Sequence, residues 1–319
     1  MVFLDAIPLT GEAMTPMQRR TFDDLLSVGT ARRRMRDGLP EELRCHIADA
    51  TAHDVSHWTE PTLWMSKSLL GQATSCEGLL LPGPEADDPP AHRRGHMHPT
   101  TLVGIVVHRA VQLMHTHPGM LPGVCVDHAL EAALSSERAV AAAWEAATVS
   151  EQSDMLTRAA SMVASWTTSW PALDPAWLPR FEESVQARIG SLVLSGRIDL
   201  VLGRPRADLT QSMFLADIKS GGLSDHHNDE AAFYALVATL RNGVAPWRSC
   251  VFSLASGEWT DPTVDEDVLW AAAEGVVRAV KAVVAVRGGR REPETTPGHW
   301  CSWCPSAATC PAAHAPDVR

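Results

Sequence analysis

The sequence predicts an α/β fold in which a mixed β-sheet is flanked by helices. Three observations support this prediction. Helical patterns dominate the chain up to position 170, residues 181–221 alternate between apolar and polar as strands do, and a helix, a strand and a long helix follow. This order is typical of an α/β core with a mixed sheet. With 319 residues, 45% of them hydrophobic and 20% charged, the chain has the composition of an ordinary globular protein.

The first 60 residues are predicted to be a helical N-terminal element, and residues 61–319 to be one larger domain. Residues 18–37 and 41–54 are rich in helix formers, and a Gly-Leu-Pro break separates the two stretches. Nothing in this element identifies a ligand or a partner.

The next predicted elements are helical and lead up to the strands. Ser66 is placed to cap a short helix that runs towards Cys76, and a loop rich in Pro, Gly, Asp and His occupies residues 81–99. Further helical patterns then begin at Thr100 and cover residues 127–147 and 151–170.

The strand region is where the polar residues become informative. Strands are predicted over residues 181–190, 191–203, 212–221 and 250–256, with helices at 229–241 and 264–286. In the second strand one face is almost wholly apolar and is expected to be core: Leu192, Leu194, Gly196, Ile198, Leu200 and Leu202. Asp199 lies on the other face between apolar neighbours, where an unpaired carboxylate would be costly.

Charge and cysteine content restrict the class of protein. The formal net charge of −11 argues against broad, sequence-blind coating of DNA, because such binding depends on Lys and Arg neutralising phosphates. No apolar run approaches the roughly 20 residues of a membrane helix, and the N-terminus has no basic region typical of a secretory signal. Seven cysteines in such a chain favour metal ligation or burial over disulfides. We therefore expect a cytoplasmic protein without membrane contact.

Two neighbouring strands carry side chains suited to metal chemistry. Asp199 requires a metal ion, a salt bridge such as one with Arg197, or exposure to water. On the next strand Asp217 and Lys219 share a face while Ile218 points into the core. Those two residues are either an edge-strand ion pair or part of a site for a divalent cation.

An Asp on one strand followed by Asp-x-Lys on the next resembles the PD-(D/E)xK nucleases, here in the segments GRID and DIK. The resemblance implies a restriction-endonuclease-like sheet and a site for Mg²⁺ or Mn²⁺. Asp199, Asp217 and the backbone carbonyl of Ile218 would supply oxygen ligands. Lys219 would position a water for attack on phosphorus and offset the developing negative charge.

Two helices are similar to motifs of the RecB-like branch of these nucleases. In GIVVHRAVQ the spacing of Gly104 and His108 matches a G-x-x-x-H helix, which implies that His108 is a further metal ligand. In HNDEAAFYALVATL, Tyr234 matches the Tyr of a Gln-x3-Tyr motif near the metal and the nucleic acid, but Glu230 replaces the Gln. Glu230 would either join the metal site or repel the phosphate backbone. Without the resemblance, His108, Glu230 and Tyr234 would be interpreted as core or helix-surface residues.

The C-terminal segment HWCSWCPSAATC carries closely spaced cysteines at positions 301, 304 and 310. It resembles the tail of AddB-type and CRISPR-adaptation nucleases, in which a fourth cysteine follows a distant S-x-S helix, as Cys76 follows MSKS here. The resemblance implies a [4Fe–4S] cluster held by Cys76, Cys301, Cys304 and Cys310, shielded by Trp300 and Trp303. Four thiolates would equally satisfy a structural zinc ion.

These motifs together predict a metal-dependent DNA nuclease with a structural iron–sulfur cluster. By analogy with the family, it is expected to act as an exonuclease on single-stranded ends. The sequence has no G-x4-G-K-[ST] motif, so a helicase or another DNA-processing partner would have to unwind a duplex. Two alternatives remain open: a non-catalytic nucleic-acid-binding or assembly module with the same fold, and a zinc-stapled adaptor in which the DIK segment is accidental.

Overall fold

The computed structural model describes residues 14–27, 29–81, 97–302, 304 and 306–314. Its helices are α1 Pro16–Arg20, α2 Leu39–Val55, α3 Lys67–Ser75, α4 Pro99–Thr116, α5 Pro122–Ser136, α6 Arg138–Ala146, α7 Val149–Ser169, α8 His226–Asn242 and α9 Glu266–Arg287. Its strands are β1 Leu63–Ser66, β2 Arg180–Ile189, β3 Leu192–Leu202, β4 Phe214–Lys219 and β5 Arg248–Ser253. None of the helices in these ranges is long and apolar enough to cross a membrane.

Strand β3 is the centre of a mixed five-stranded sheet. One edge of β3 pairs along most of its length with β2 in an antiparallel hairpin. The other edge is shared by two strands: β1 runs parallel to residues 192–195, and β4 runs antiparallel to residues 200–202. Strand β5 then pairs with β4 in parallel and completes the sheet. The predicted α/β fold with a mixed sheet is confirmed.

The shared edge of β3 leaves a gap that determines where the site forms. Because β1 and β4 approach from opposite ends, the last residue of β1, Ser66, and the last residues of β4 face each other across residues 196–199. On this edge of β3 the backbone groups in the gap lack a neighbouring strand, so side chains and ligands can reach them.

Helices cover the sheet on both sides and form two cores. Helices α2, α3, α8 and α9 enclose the first core, which includes Leu192, Leu194 and Ile198 of β3. Helices α4, α5 and α7 enclose the second core, which includes Leu200 and Leu202. The prediction of one apolar face for β3 was therefore wrong beyond Ile198, because the alternation changes phase at Asp199 and both faces become buried.

Several predicted elements are confirmed, and two helix boundaries are corrected. The Ser66 side chain accepts a hydrogen bond from Leu69 N at 3.1 Å and caps α3 as expected. The helix expected over residues 18–37 ends after a π-helical turn at Leu25, and the following segment bridges Arg34 to Thr210 beside the sheet. The single helix expected over residues 127–147 is two helices that meet at Glu137, whose backbone is extended.

Parts of the remaining predictions concern residues outside the described ranges. Residues 82–96 of the predicted loop and Trp303 lie there.

Within the N-terminal element, α2 packs closely against α9 and contributes Leu39, Leu43 and Ile47 to the first core.

Candidate functional site

The gap between β1 and β4 opens into a cavity of about 640 Å³. Its lining includes most of the residues singled out from the sequence: His108, Asp199, Asp217, Ile218, Lys219 and Tyr234. Lys67, the first residue of α3, lines it as well. Five separate elements of secondary structure thus bring ionisable groups to the point where the sheet ladder is interrupted.

The Asp199 side chain on β3 accepts a hydrogen bond from β4 in place of a backbone carbonyl of the sheet ladder. Pairing between β3 and β4 stops at Leu200 and Ala216, and the Asp199 carboxylate accepts the Ile218 N–H at 2.6 Å. The carboxylate is buried, so the alternative of a solvent-exposed Asp199 was wrong. Arg197, the other alternative partner, is mostly exposed and pairs with Glu182 at 2.6 Å.

His108 on α4 lies between a backbone carbonyl and two carboxylates. Its Nε2 is 2.8 Å from the Ile218 carbonyl oxygen, and its Nδ1 is 3.3 Å from Asp199 and 3.6 Å from Glu182. Burial alone would lower the pKa of His108, but the hydrogen bonds and charges of these carboxylates raise it to about 10. These contacts favour the protonated imidazole when no metal ion is bound, so a metal ion that binds His108 would have to displace a proton.

Glu182 on β2, like Lys67, is a residue of the site that the sequence analysis missed. The register of the β2–β3 hairpin pairs Phe181 with Leu200 and Glu183 with Ile198, which places Glu182 opposite Asp199. Its backbone is left-handed, with φ of 53°, an uncommon conformation for a non-glycine residue. A hairpin turning at residues 190–191 was the signal in the sequence that could have identified this residue.

The side chains of His108, Glu182 and Asp199 form a candidate metal centre. One ligand atom from each lies within 4.8 Å of the others, and no other such group of three occurs among the residues that the structure describes. Two carboxylates and one imidazole suit a divalent cation of moderate hardness. Glu182 is thus added to the two predicted ligands on helix α4 and strand β3.

Asp217 and Ile218 lie beside this centre but have other partners. The Asp217 carboxylate is 2.8 Å from the ammonium groups of both Lys67 and Lys219, and the Ile218 carbonyl faces the His108 ring. Burial alone would raise the pKa of Asp217, but the two ammonium groups hold it below its ordinary value.

Two lysines and two carboxylates form a closed ring of charges. Glu230 on α8 lies 3.2 Å from Lys67 and 2.9 Å from Lys219, and both lysines also contact Asp217. Burial lowers the pKa of Lys67, but Asp217 and Glu230 more than offset this and raise it. The ring is neutral overall. Lys67 therefore balances the extra charge that Glu230 brings to this position.

Tyr234 packs against the gap from the side of α8. Its hydroxyl donates to the Arg197 carbonyl at 2.6 Å, and its ring lies over Gly196 and 5.3 Å from the Lys67 ammonium. A Cβ at Gly196 would lie 2.6 Å from the tyrosine ring, so glycine is required there. Tyr234 thus orients the strand beside Asp199.

Replacing Lys67 with methionine is expected to destabilise the protein without bound metal by about 3 kcal/mol, because it leaves the buried Asp217 and the partly buried Glu230 facing one lysine. Adding Glu230→Gln should recover most of this loss, since the ring becomes neutral again. Urea unfolding in EDTA would measure the free energy of unfolding of the single and the double variant. Lys281→Met, at an exposed lysine of α9, is the control and should change stability by less than about 0.5 kcal/mol. A double variant no more stable than Lys67→Met would show that Lys67 and Glu230 are not coupled.

The cysteine tail returns to the end of α3. Cys76, Trp300, Cys301 and Cys304 pack in one small cluster, and the Cys76 sulfur accepts from Thr296 N at 3.4 Å. Cys310 follows a 3₁₀ turn and is partly exposed.

Hydrogen bonds and an ion pair also join the two chain segments near Cys76. Arg291 forms a two-pronged ion pair with Glu77, with one N–O distance of 2.6 Å, and Glu294 N donates to the same carboxylate at 2.7 Å.

Comparison with protein families identifies a similarity. The sequence profile of the PD-(D/E)XK nuclease superfamily matches residues 85–311, more than half of the chain. No curated protein matches the chain. The matched residues include His108, strands β2 to β4, α8 and the tail cysteines, whereas Lys67 and Cys76 precede them.

Proposed function

The chain belongs to the PD-(D/E)XK nuclease superfamily, and from this premise we propose that it is a metal-dependent nuclease that hydrolyses phosphodiester bonds in DNA. Members of the superfamily are generally nucleases and hence hydrolases. The observation that carries the proposal is the convergence of His108, Glu182 and Asp199 at a cavity that is lined by His108, Asp199 and Lys219.

His108, Glu182 and Asp199 would hold Mg²⁺ or Mn²⁺, and Asp217 and the Ile218 carbonyl would complete the site after rearranging from their present partners. Oxygen ligands suit both cations. A bound cation would polarise the scissile phosphate and lower the pKa of a water. The close approach of three ligand atoms and the lack of a strand partner at the gap support this placement.

Lys219 and Lys67 would stabilise the negative charge that develops on the phosphate. Both ammonium groups are held at the cavity by Asp217 and Glu230, so they need little reorganisation when substrate arrives. Asp217, Glu230 and Tyr234 would then act mainly as positioning residues. Glu230 is no argument for a non-catalytic module, because Lys67 offsets its charge.

The finer substrate preference rests on the family resemblance. We propose DNA as substrate, cleaved as an exonuclease from single-stranded ends, with a helicase or another processing partner opening duplexes. The reducing cytoplasm is the compartment that suits free thiols such as those described in the structure.

A [4Fe–4S] cluster would join Cys76 to Cys301, Cys304 and Cys310. The packing of three of these residues in one cluster and the N–H directed at the Cys76 sulfur fit such a group. Its role would be to close the long loop between α3 and the tail, which is a structural role. Zinc is the alternative occupant.

Metal-dependent cleavage is the first test. Protein purified without oxygen is expected to cut labelled single-stranded DNA with Mg²⁺ or Mn²⁺ and to stop when EDTA is added; the product lengths would show its polarity. Lys219→Ala, purified identically, controls for a contaminating nuclease and should give only background. If the folded, metal-loaded protein failed to cut single- or double-stranded DNA, the binding-module alternative would replace the nuclease.

A further inference from the structure

The sheet face that leads away from the metal centre is open to solvent and polar. On β2 and β3 the side chains of Ser184 and Arg197 are cross-strand neighbours, and Gln186 is opposite Ser195. Ser66 of β1 is level with Ser195 on its other side. The alternate residues of these strands belong to the first core, so this polar set faces the opposite way.

An exposed tryptophan lies at the far end of this polar face. Trp64 of β1 is level with Val193, which in turn is level with Arg188 of β2. Although tryptophans are usually well buried, 48% of Trp64 is exposed, and its β1 neighbours Leu63 and Met65 are buried. Six residues separate Val193 from Asp199 along β3, a distance of about 20 Å.

The catalytic cavity continues onto this face. The residues that line it include Ser66, Ser184, Gln186, Ser195 and Arg197 in addition to His108 and Asp199 of the metal centre. A molecule that occupies the centre can therefore extend over the sheet without leaving the cavity.

We infer that this face binds a single strand of nucleic acid of roughly three to six nucleotides, which runs from the metal centre to a base stacked on Trp64. The inference rests on the proposed function. We name the face the strand track and define it by Trp64, Ser66, Ser184, Gln186, Ser195 and Arg197. Its length of about 20 Å corresponds to six nucleotides at the stacked spacing of about 3.4 Å, and to fewer when the strand is extended.

Chemistry favours a single strand over a duplex on this surface. A base of a single strand can turn out of its stack and lie on the exposed indole, whereas duplex bases are already stacked and paired. The track offers hydroxyl and amide groups but few cations, and Arg197 is already paired with Glu182. Duplex binding, which draws on many phosphate contacts, has little support here and would be opposed by the acidic chain.

Binding measured in EDTA tests the strand track apart from cleavage. Unlabelled oligothymidines of two to ten nucleotides would compete with a labelled twelve-nucleotide strand. Affinity is expected to rise up to about six nucleotides and then level off. The logarithm of the binding constant should fall with the logarithm of the salt concentration at a slope near −1.4, which corresponds to about two phosphate contacts. A blunt duplex should compete at least tenfold less well.

Trp64→Ala should weaken binding of the six-nucleotide strand about tenfold and leave the dinucleotide unaffected, whereas Trp64→Phe should retain most of the affinity. Gln186→Ala, in the middle of the track, is a second variant and should weaken binding of strands of four or more nucleotides. Leu121→Ala, at a residue of which 69% is exposed, is the control for loss of an exposed apolar side chain.

The outcomes separate the two proposals. If Trp64→Ala and Gln186→Ala bind all lengths like the wild type, or if the duplex competes equally well, the strand track is wrong while the nuclease proposal stands on its cleavage assay. If the variants lose affinity as expected but no protein cleaves, the strand track is supported and the nuclease proposal fails. A wild type that neither binds nor cleaves would overturn both.

Discussion

Asparagine at position 199 is expected to lower the rate of metal-dependent DNA cleavage about a thousand-fold without unfolding the protein. Asparagine has the shape of aspartate, and its amide oxygen can still accept the Ile218 N–H that the carboxylate now accepts. It lacks the charge that a divalent cation requires from a ligand. Losing that interaction removes several kcal/mol of transition-state stabilisation, and about 4 kcal/mol corresponds to a thousand-fold.

Kinetics, metal binding and stability have to be measured together for this variant. kcat/KM with saturating Mn²⁺ should fall and Mn²⁺ affinity should weaken. In EDTA the variant should still unfold cooperatively, at a somewhat lower temperature because the His108–Asp199 ion pair is lost. Asp127→Asn, at an exposed position of α5, is the matched control and should behave like the wild type. Cleavage within tenfold of the wild type would show that Asp199 is not a metal ligand and that its role is confined to the Ile218 hydrogen bond.

Replacing Cys301 with serine is expected to prevent binding of the proposed iron–sulfur cluster and to lower the unfolding temperature by more than about 10 °C. The cluster would connect Cys76 to the tail across more than 200 residues, so its loss frees a long loop in the unfolded and partly folded states. The packing of Trp300 and the Arg291–Glu77 ion pair would remain, but the pair is partly exposed and contributes little.

Iron and sulfide content after oxygen-free purification would identify the group. About four of each per chain in the wild type, and none in Cys301→Ser, is the expected result. Cys45→Ser is the control, because Cys45 is exposed on α2 and belongs to no predicted ligand set. One zinc per chain without iron would establish a zinc staple instead. A metal-free wild type with the same unfolding temperature as Cys301→Ser would show that packing alone holds the tail.

Local patterns in the sequence predicted much of this structure. The period of two in residues 181–221 predicted strands β2 to β4, and Ser66 predicted the start of α3, because both depend on contacts within a few residues. The same patterns failed where distant segments compete. The helix expected up to position 37 ends at Leu25, since the segment after it pairs with Thr210 beside the sheet.

The candidate site also combines residues that local sequence patterns predict with residues that only distant contacts bring in. The sequence by itself identified Asp199, Asp217 and Lys219, because their spacing on two strands resembles a known motif. Only the tertiary structure added Glu182 and Lys67. Glu182 depends on the hairpin register and a left-handed backbone, and Lys67 meets Asp217 from 150 positions away. Which carboxylate joins the candidate metal centre and which faces a lysine follows from where β1 and β4 meet along β3, and that geometry arises only when the sheet assembles.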